Sequence, residues 1–176
     1  MKKIILIGCF ILITTYFFAM LPVGSAAPAF SVADGNERQL HSHRLKGKVV
    51  VGFYETRETS NKNNALKDML NIFYKQAERE NPALVFKLAV IDATSANAFT
   101  RWIWRKKMRG KSEEIKITVY GDWDGKMKRS FGFPEDESTF LIIDKKGIIR
   151  YVYSGLVPQL EYTKIKEIIT QSFQQN

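Results

Sequence analysis

The chain has 176 residues, 45% hydrophobic and 26% charged, which suits one globular domain and excludes disorder or collagen-like repetition. Lys and Arg total 27 against 18 Asp and Glu, and Cys9 is the single cysteine. One thiol excludes an internal disulfide framework and a cysteine-based zinc site.

Lys2 and Lys3 precede an apolar run from Ile4 to Leu21, followed by the small residues Val23-Gly24-Ser25-Ala26-Ala27. This is the layout of a secretory signal, with Gly24 and Ala26 in the small-x-small positions. Residues 1–26 are therefore expected to be a signal peptide cleaved after Ala26, leaving one domain over residues 27–176. Leu6-Ile7-Gly8-Cys9 has the residue types of a lipidation site, but most of the apolar run follows it. The alternative is retention, in which residues 4–21, near the lower length limit for a spanning helix, anchor the domain to the inner membrane. Cleavage removes Cys9, and a chain without a thiol cannot exchange disulfides.

Val49-Val50-Val51-Gly52-Phe53-Tyr54, after the turn-like Lys46-Gly47-Lys48, reads as a buried strand. Leu66, Met69, Leu70, Phe73 and Ala77 recur at helical spacing from Asn61 to about Glu80, before Asn81-Pro82. Leu84 to Ile91 is the next predicted strand, and Ala96 to about Arg109 a second helix that stops at Gly110. Ile115 to Tyr120 makes a third strand, and Gly121-Asp122-Trp123-Asp124-Gly125 is turn chemistry. Thr139–Ile143 and Ile148–Tyr153 flank Asp144-Lys145-Lys146-Gly147 as a hairpin. Leu160, Ile165, Ile168, Ile169 and Phe173 form a closing amphipathic helix lying on that hairpin. These elements predict an α/β three-layer sandwich with a βαβαββα core, a central mixed β-sheet flanked by helices.

Through Lys46-Gly47-Lys48-Val49-Val50-Val51 and Ser138-Thr139-Phe140-Leu141-Ile142-Ile143-Asp144-Lys145-Lys146-Gly147, the chain resembles the thioredoxin-like superfamily over nearly all of residues 29–174. The resemblance implies a Cys-x-x-Cys at the amino terminus of the helix after the first strand, where the helix dipole stabilises thiolate. The matching positions hold Glu58 and Asn61, and Ser138 stands where the superfamily has a cis-proline. Thiol–disulfide exchange and cysteine peroxidase activity are therefore not expected. Arg57-Glu58-Thr59-Ser60-Asn61-Lys62-Asn63-Asn64 and Glu135-Asp136-Glu137-Ser138 further resemble the YtfJ-like family of bacterial periplasmic proteins. That likeness implies a periplasmic, redox-inactive thioredoxin fold of unassigned biochemistry.

Four sets of residues are candidates for function. Arg57, Glu58, Thr59, Ser60 and Asn61, with Ser138, would form a ligand site at a helix start, suited to a carboxylate or phosphate-like anion. Ordinary N-capping by Thr59 or Ser60 is the alternative. Glu55, Glu58, Asp136 and Glu137 would gather carboxylates for acid–base work or a hard cation, or form a solvated rim paired with Arg57 or Lys62. Arg101, Trp102, Trp104, Arg105, Lys106, Lys107, Arg109 and Lys111 suit anionic lipid or an acidic protein, with no nucleic acid expected for an exported chain. On the simpler reading of that helix, Phe99, Trp102 and Ile103 pack inward and the cations are solvated. His41-Ser42-His43 lacks a third ligand, so no metal and no cofactor are expected. The leading expectation is a non-redox binding or accessory protein with a polypeptide partner. The alternatives are a cysteine-independent enzyme using Glu58 and an envelope-surface protein acting through its basic helix.

Overall fold

The computed structural model describes residues 20–77 and 85–174. Residues 1–19 of the expected leader, Cys9 among them, the helix end at Asn81-Pro82 and the strand start at Leu84 lie outside them. Among the described residues, seven strands form one mixed sheet in the order β2-β1-β5-β4-β3-β6-β7. At its centre lies β3 (Val49–Glu55), paired in parallel with β4 (Val85–Asp92) and antiparallel with β6 (Thr139–Ile143). The α/β sandwich expected from the order of elements is the fold observed.

Alternation along β3 feeds two cores. Val50 and Tyr54 point into one, with Leu88, Val90, Met127, Phe131 and Leu141. Val49 and Val51 point into the other, against Leu66 and Leu70 of α1 (Asn64–Ala77) and Ile165 and Ile169 of α4 (Tyr162–Gln174). The closing helix does cover the hairpin of β6 and β7 (Ile149–Ser154), since Tyr151 shares that second core.

Several details differ from the sequence reading, beginning with the third expected strand, which covers Val119–Asp122 and not Ile115 to Tyr120, and the second helix, which starts at Arg101 and not Ala96. Leu160, expected on the closing helix, lies before it and is exposed. The short hairpin β1 (Ser31–Asp34) and β2 (Gln39–His41) extends the sheet beyond β5 (Val119–Asp122), its strands too brief to show a period. Its turn is tied by the Asp34 carboxylate, which accepts from the Asn36 and Arg38 N–H groups at 2.8 and 2.9 Å and from Arg38 Nε at 2.8 Å. Burial opposes that charge, but these donors outweigh it and hold the carboxyl below its usual range. The second helix, α2 (Arg101–Ile115), runs through Gly110 and ends at Lys116 in the left-handed region, φ 57°. A single exposed glycine weakens a helix by about 1 kcal/mol without stopping it. A short helix, α3 (Lys126–Phe131), follows the segment read as a turn. Finally, α1 starts at Asn64, three residues after the expected position.

Strand directions fix what meets at each end. The strands β3, β4 and β5 run parallel, and β7, antiparallel to β6, runs with them. Glu55, Asp92, Asp122 and Ser154 therefore finish at one end, beside the start of β6. Residues 24–27 run along β7: the Gly24 N–H donates to the Ile149 carbonyl at 2.8 Å, the Ile149 N–H to the Ser25 carbonyl at 2.9 Å, and the Ala27 N–H to the Gly147 carbonyl at 2.8 Å. The cut expected after Ala26 falls inside this seam.

Candidate functional site

At the carboxyl end of β3 the chain turns through residues 56–63 before α1 begins. Thr59 and Ser60 do not cap that helix. The Thr59 hydroxyl accepts from the Thr56 N–H at 2.9 Å, and the Ser60 hydroxyl donates to the Arg57 carbonyl at 2.9 Å. Both hydroxyls are thus engaged within the turn, and an anion cradle at a helix start is not formed there. Arg57, Glu58 and Asn61 are exposed on the rim, Ser60 is partly covered, and Thr59 and Ser138 are buried.

Beneath the rim lies a closed polar network. Register places Tyr54 opposite Thr139, so Glu55 and Ser138 are the next neighbours across β3 and β6. The buried Glu55 carboxylate receives the Lys67 ammonium at 2.9 and 2.8 Å and the Ser138 hydroxyl at 2.9 Å. Lys67 Nζ also donates to the Ser60 carbonyl at 2.5 Å and sits 4.9 Å from the Phe53 ring centroid. Burial raises the Glu55 carboxyl above its usual range, and Lys67 and Ser138 pull it only part of the way back.

Asn63, 1% exposed, completes the network. Its amide nitrogen donates to Ser138 Oγ at 2.8 Å and to the Gly155 carbonyl at 3.0 Å, and its amide oxygen accepts from the Val157 N–H at 2.9 Å. Gly155 stands at φ 107°, a conformation only glycine adopts without strain. The backbone of Ser138 is also engaged: its N–H donates to the Glu137 carboxylate and its carbonyl accepts from the Gly155 N–H.

The four expected carboxylates do not form a shared centre. Glu55 is paired with Lys67, Glu137 with Lys62, and Glu58 and Asp136 are exposed. Lys62 holds the Glu137 carboxyl below its usual range. His41 and His43 stack with ring centroids 5.4 Å apart, and among the described residues no three His, Cys, Asp or Glu side chains gather as metal ligands.

A second buried centre, unseen in the sequence, occupies the other face of β3. Asp122 is fully buried; its Oδ2 accepts from the Tyr54 hydroxyl at 3.2 Å and the Lys128 N–H at 2.9 Å, while Oδ1 has no hydrogen-bond partner among the described residues. Beside it, Lys128 bridges Asp92 at 2.8 Å and Glu135 at 2.9 Å. Burial raises the Asp122 carboxyl, and the same burial, with Asp122 nearby, raises the Tyr54 hydroxyl. An acid whose pKa is raised by folding keeps a proton that the unfolded chain has already lost. Its contribution therefore worsens as pH climbs from the unfolded pKa through the folded one. In denaturant melts from pH 4 to pH 7, the stability of the native chain relative to Asp122→Asn should fall; a constant difference would show that Asp122 does not titrate in this window.

On α2 the basic residues divide by face. Arg105 pairs with Glu37 and Arg109 donates to the Gly35 carbonyl at 2.6 Å, where a Cβ on Gly35 would lie 2.7 Å from the Arg105 carbonyl. Arg101 lies over Trp123, Trp104 is half-buried, and Lys111 pairs with Glu114. Lys106 and Lys107 are exposed. Inward packing of Phe99, Trp102 and Ile103 is overturned: they are 87%, 63% and 37% exposed, and Met108 is the buried residue of this helix.

Residues 23–152 match the model of the AhpC/TSA family. The chain belongs to the AhpC/TSA family. Chloroplastic peroxiredoxin Q from Triticum aestivum is 30% identical over 143 residues, covering 75% of this chain and 58% of that protein. The Populus jackii peroxiredoxin Q is 29% identical over 149 residues, 78% of this chain and 62% of the relative. The chain thus spans about three-fifths of the length of these relatives. Among solved structures, a secreted thiol-disulfide isomerase from Corynebacterium glutamicum superposes with TM-score 0.63 at 12% identity, covering 85% of this chain and 86% of that one. A thiol peroxidase from Chromobacterium violaceum gives TM-score 0.62 at 9% identity, covering 89% and 90%. The likeness to these structures is one of fold. Within the family-matched residues 23–152 there is no cysteine.

Sequence reasoning reached Glu55, Glu137 and Ser138 as members of this end but assigned no role to Lys67, Asn63 or Asp122. Lys67 carried a usable signal, since it lies one turn past the start of α1, on the helix that follows Glu55.

Proposed function

We propose that this AhpC/TSA-family chain is a non-redox binding or accessory module of the YtfJ-like type, acting outside the cytoplasm, and that it uses neither peroxidase nor thiol–disulfide chemistry. The observation that carries the reading is the network of Glu55, Lys67, Ser138 and Asn63, which fills the end of β3 with paired charge. Thiol chemistry needs a sulfur that a substrate can approach. Here the family-matched residues hold no cysteine, and the positions beneath the rim are committed to one another. What the rim offers a partner is the exposed Arg57, Glu58 and Asn61, with the exposed Leu156 following Gly155.

The test is turnover by the full chain. Hydrogen peroxide consumption with dithiothreitol, and reduction of insulin disulfides, should match those of buffer and of a Cys9→Ser variant. Peroxide consumption by the native chain that Cys9→Ser abolishes would overturn the proposal.

A further inference from the structure

The exposed apolar residues of this domain are unevenly placed. Phe99, Trp102 and Ile103 lie at the start of α2, and Leu156 and Leu160 follow β7, so five of the eight large exposed apolar side chains among the described residues sit at the carboxyl end of the parallel strands. Phe99 is not on a loose loop. Asn97 Oδ1 accepts from the Phe99 and Thr100 N–H groups, each at 3.0 Å, and Thr100 Oγ1 accepts from the Asn97 N–H at 3.1 Å. A tied turn therefore presents an 87% exposed phenyl ring to water.

Positions 99, 102, 103, 106 and 107 follow the three-and-four spacing of one helix face. That face begins aromatic and continues with exposed Lys106 and Lys107. Lys106 stands about 6 Å behind Trp102 along the axis, within the depth of about 5–10 Å to which interfacial apolar side chains sink beneath lipid headgroups. Tryptophan at that level with lysine just behind it is the side-chain order of a bilayer surface.

The chain's own route selects the same end. The Met20 sulfur accepts the Ser154 hydroxyl at 3.2 Å, at the finish of β7. Met20, the second-last residue of the apolar stretch, thus stands at the end that carries Phe99, Trp102, Leu156 and Leu160.

We infer that this end of the domain docks on an anionic bilayer, with Phe99 and Trp102 inserted among the headgroups and Lys106 and Lys107 at the phosphates. The inference stands independently of the non-redox reading.

The test reconstitutes the full chain in vesicles, using Cys9→Ser as background so that a single introduced cysteine carries an environment-sensitive fluorophore. One label replaces Phe99. A control label replaces Ile72, exposed on α1. In phosphatidylcholine vesicles containing phosphatidylglycerol, the position-99 label should shift to the blue and brighten, while the position-72 label stays aqueous. High salt should reverse the shift. Each basic residue near an anionic surface contributes about a fivefold change in the docking equilibrium. Lys106→Glu with Lys107→Glu should therefore return the label to its aqueous emission without altering the thermal melt. Three results would overturn the inference: an aqueous position-99 label on the anionic vesicles, an equal shift on pure phosphatidylcholine, or a shift without lipid that grows with protein concentration, which would mark the face as a contact between copies.

Discussion

Replacing Lys67 with methionine should cost the fold about 3 kcal/mol at pH 7, because a buried carboxylate loses the ammonium that neutralises it. Glu55 then has two courses, to stay charged in a site with one hydroxyl donor left or to take up a proton. Taking a proton from a reference pKa near 4.3 costs about 1.4 kcal/mol for each pH unit above it. That caps the penalty at somewhat under 4 kcal/mol at pH 7 and at about 1 kcal/mol at pH 5. Water at the partly open Lys67 position lowers the neutral-pH figure further. The sign follows from linkage: with its folded pKa driven upward, the variant loses stability steadily as pH rises above the unfolded value. The midpoint should drop by roughly 10 °C at pH 7 and by much less at pH 5. Adding Glu55→Gln should recover most of the loss. Equal destabilisation at both pH values would mean that Lys67 does not act by neutralising Glu55, and would point to its place over the Phe53 ring or to its volume.

Asn63→Ala is the second substitution with a large expected effect. It strips partners from Ser138 Oγ, the Gly155 carbonyl and the Val157 N–H, at a side chain that is 1% exposed. A buried polar group left without a partner costs about 1–3 kcal/mol. A total near 3 kcal/mol is expected once a water refills part of the space. Asn63→Asp separates hydrogen bonding from volume, because it keeps the acceptor for Val157 and turns the donor toward Gly155 into a second acceptor. It should lose nearly as much stability as alanine and lose less at acid pH, where the carboxyl is protonated. Combined with Ser138→Ala, the Asn63→Ala loss should be less than additive, since the two side chains share a bond. A loss below about 1 kcal/mol for Asn63→Ala would show that residues 155–157 are held by the backbone alone.

The fold was legible because its central strands are β-branched runs and its helices on the sheet carry clear apolar stripes. Val49 to Tyr54 and Ile165 with Ile169 announce themselves by period alone. The hairpin of β1 and β2 has strands of four and three residues, shorter than any window in which alternation shows. The site was legible only in part. Glu55 and Ser138 could be placed at one end from topology, but the Lys67 and Asn63 contacts depend on a turn of residues 56–63 that delays the helix. On α2 the spacing of Phe99, Trp102 and Ile103 reads as a buried stripe, and the structure shows it facing water. Periodicity reports that residues share a face, not which medium that face meets.

The seam between residues 24–27 and β7 holds the Gly24 and Ala27 N–H groups and the Ser25 carbonyl in the sheet margin. If residues 1–26 are a leader cut after Ala26, as the sequence predicts, a signal peptidase would need this stretch as free, extended chain, and the sheet would compete with it for the same groups. Were the margin to zip shut first, the scissile bond would be withdrawn and the leader kept; were the enzyme to arrive first, the domain would be released with an unfinished border at Ile149. The closing rate of one sheet edge would then work as a clock that decides whether a given molecule diffuses away or stays tethered.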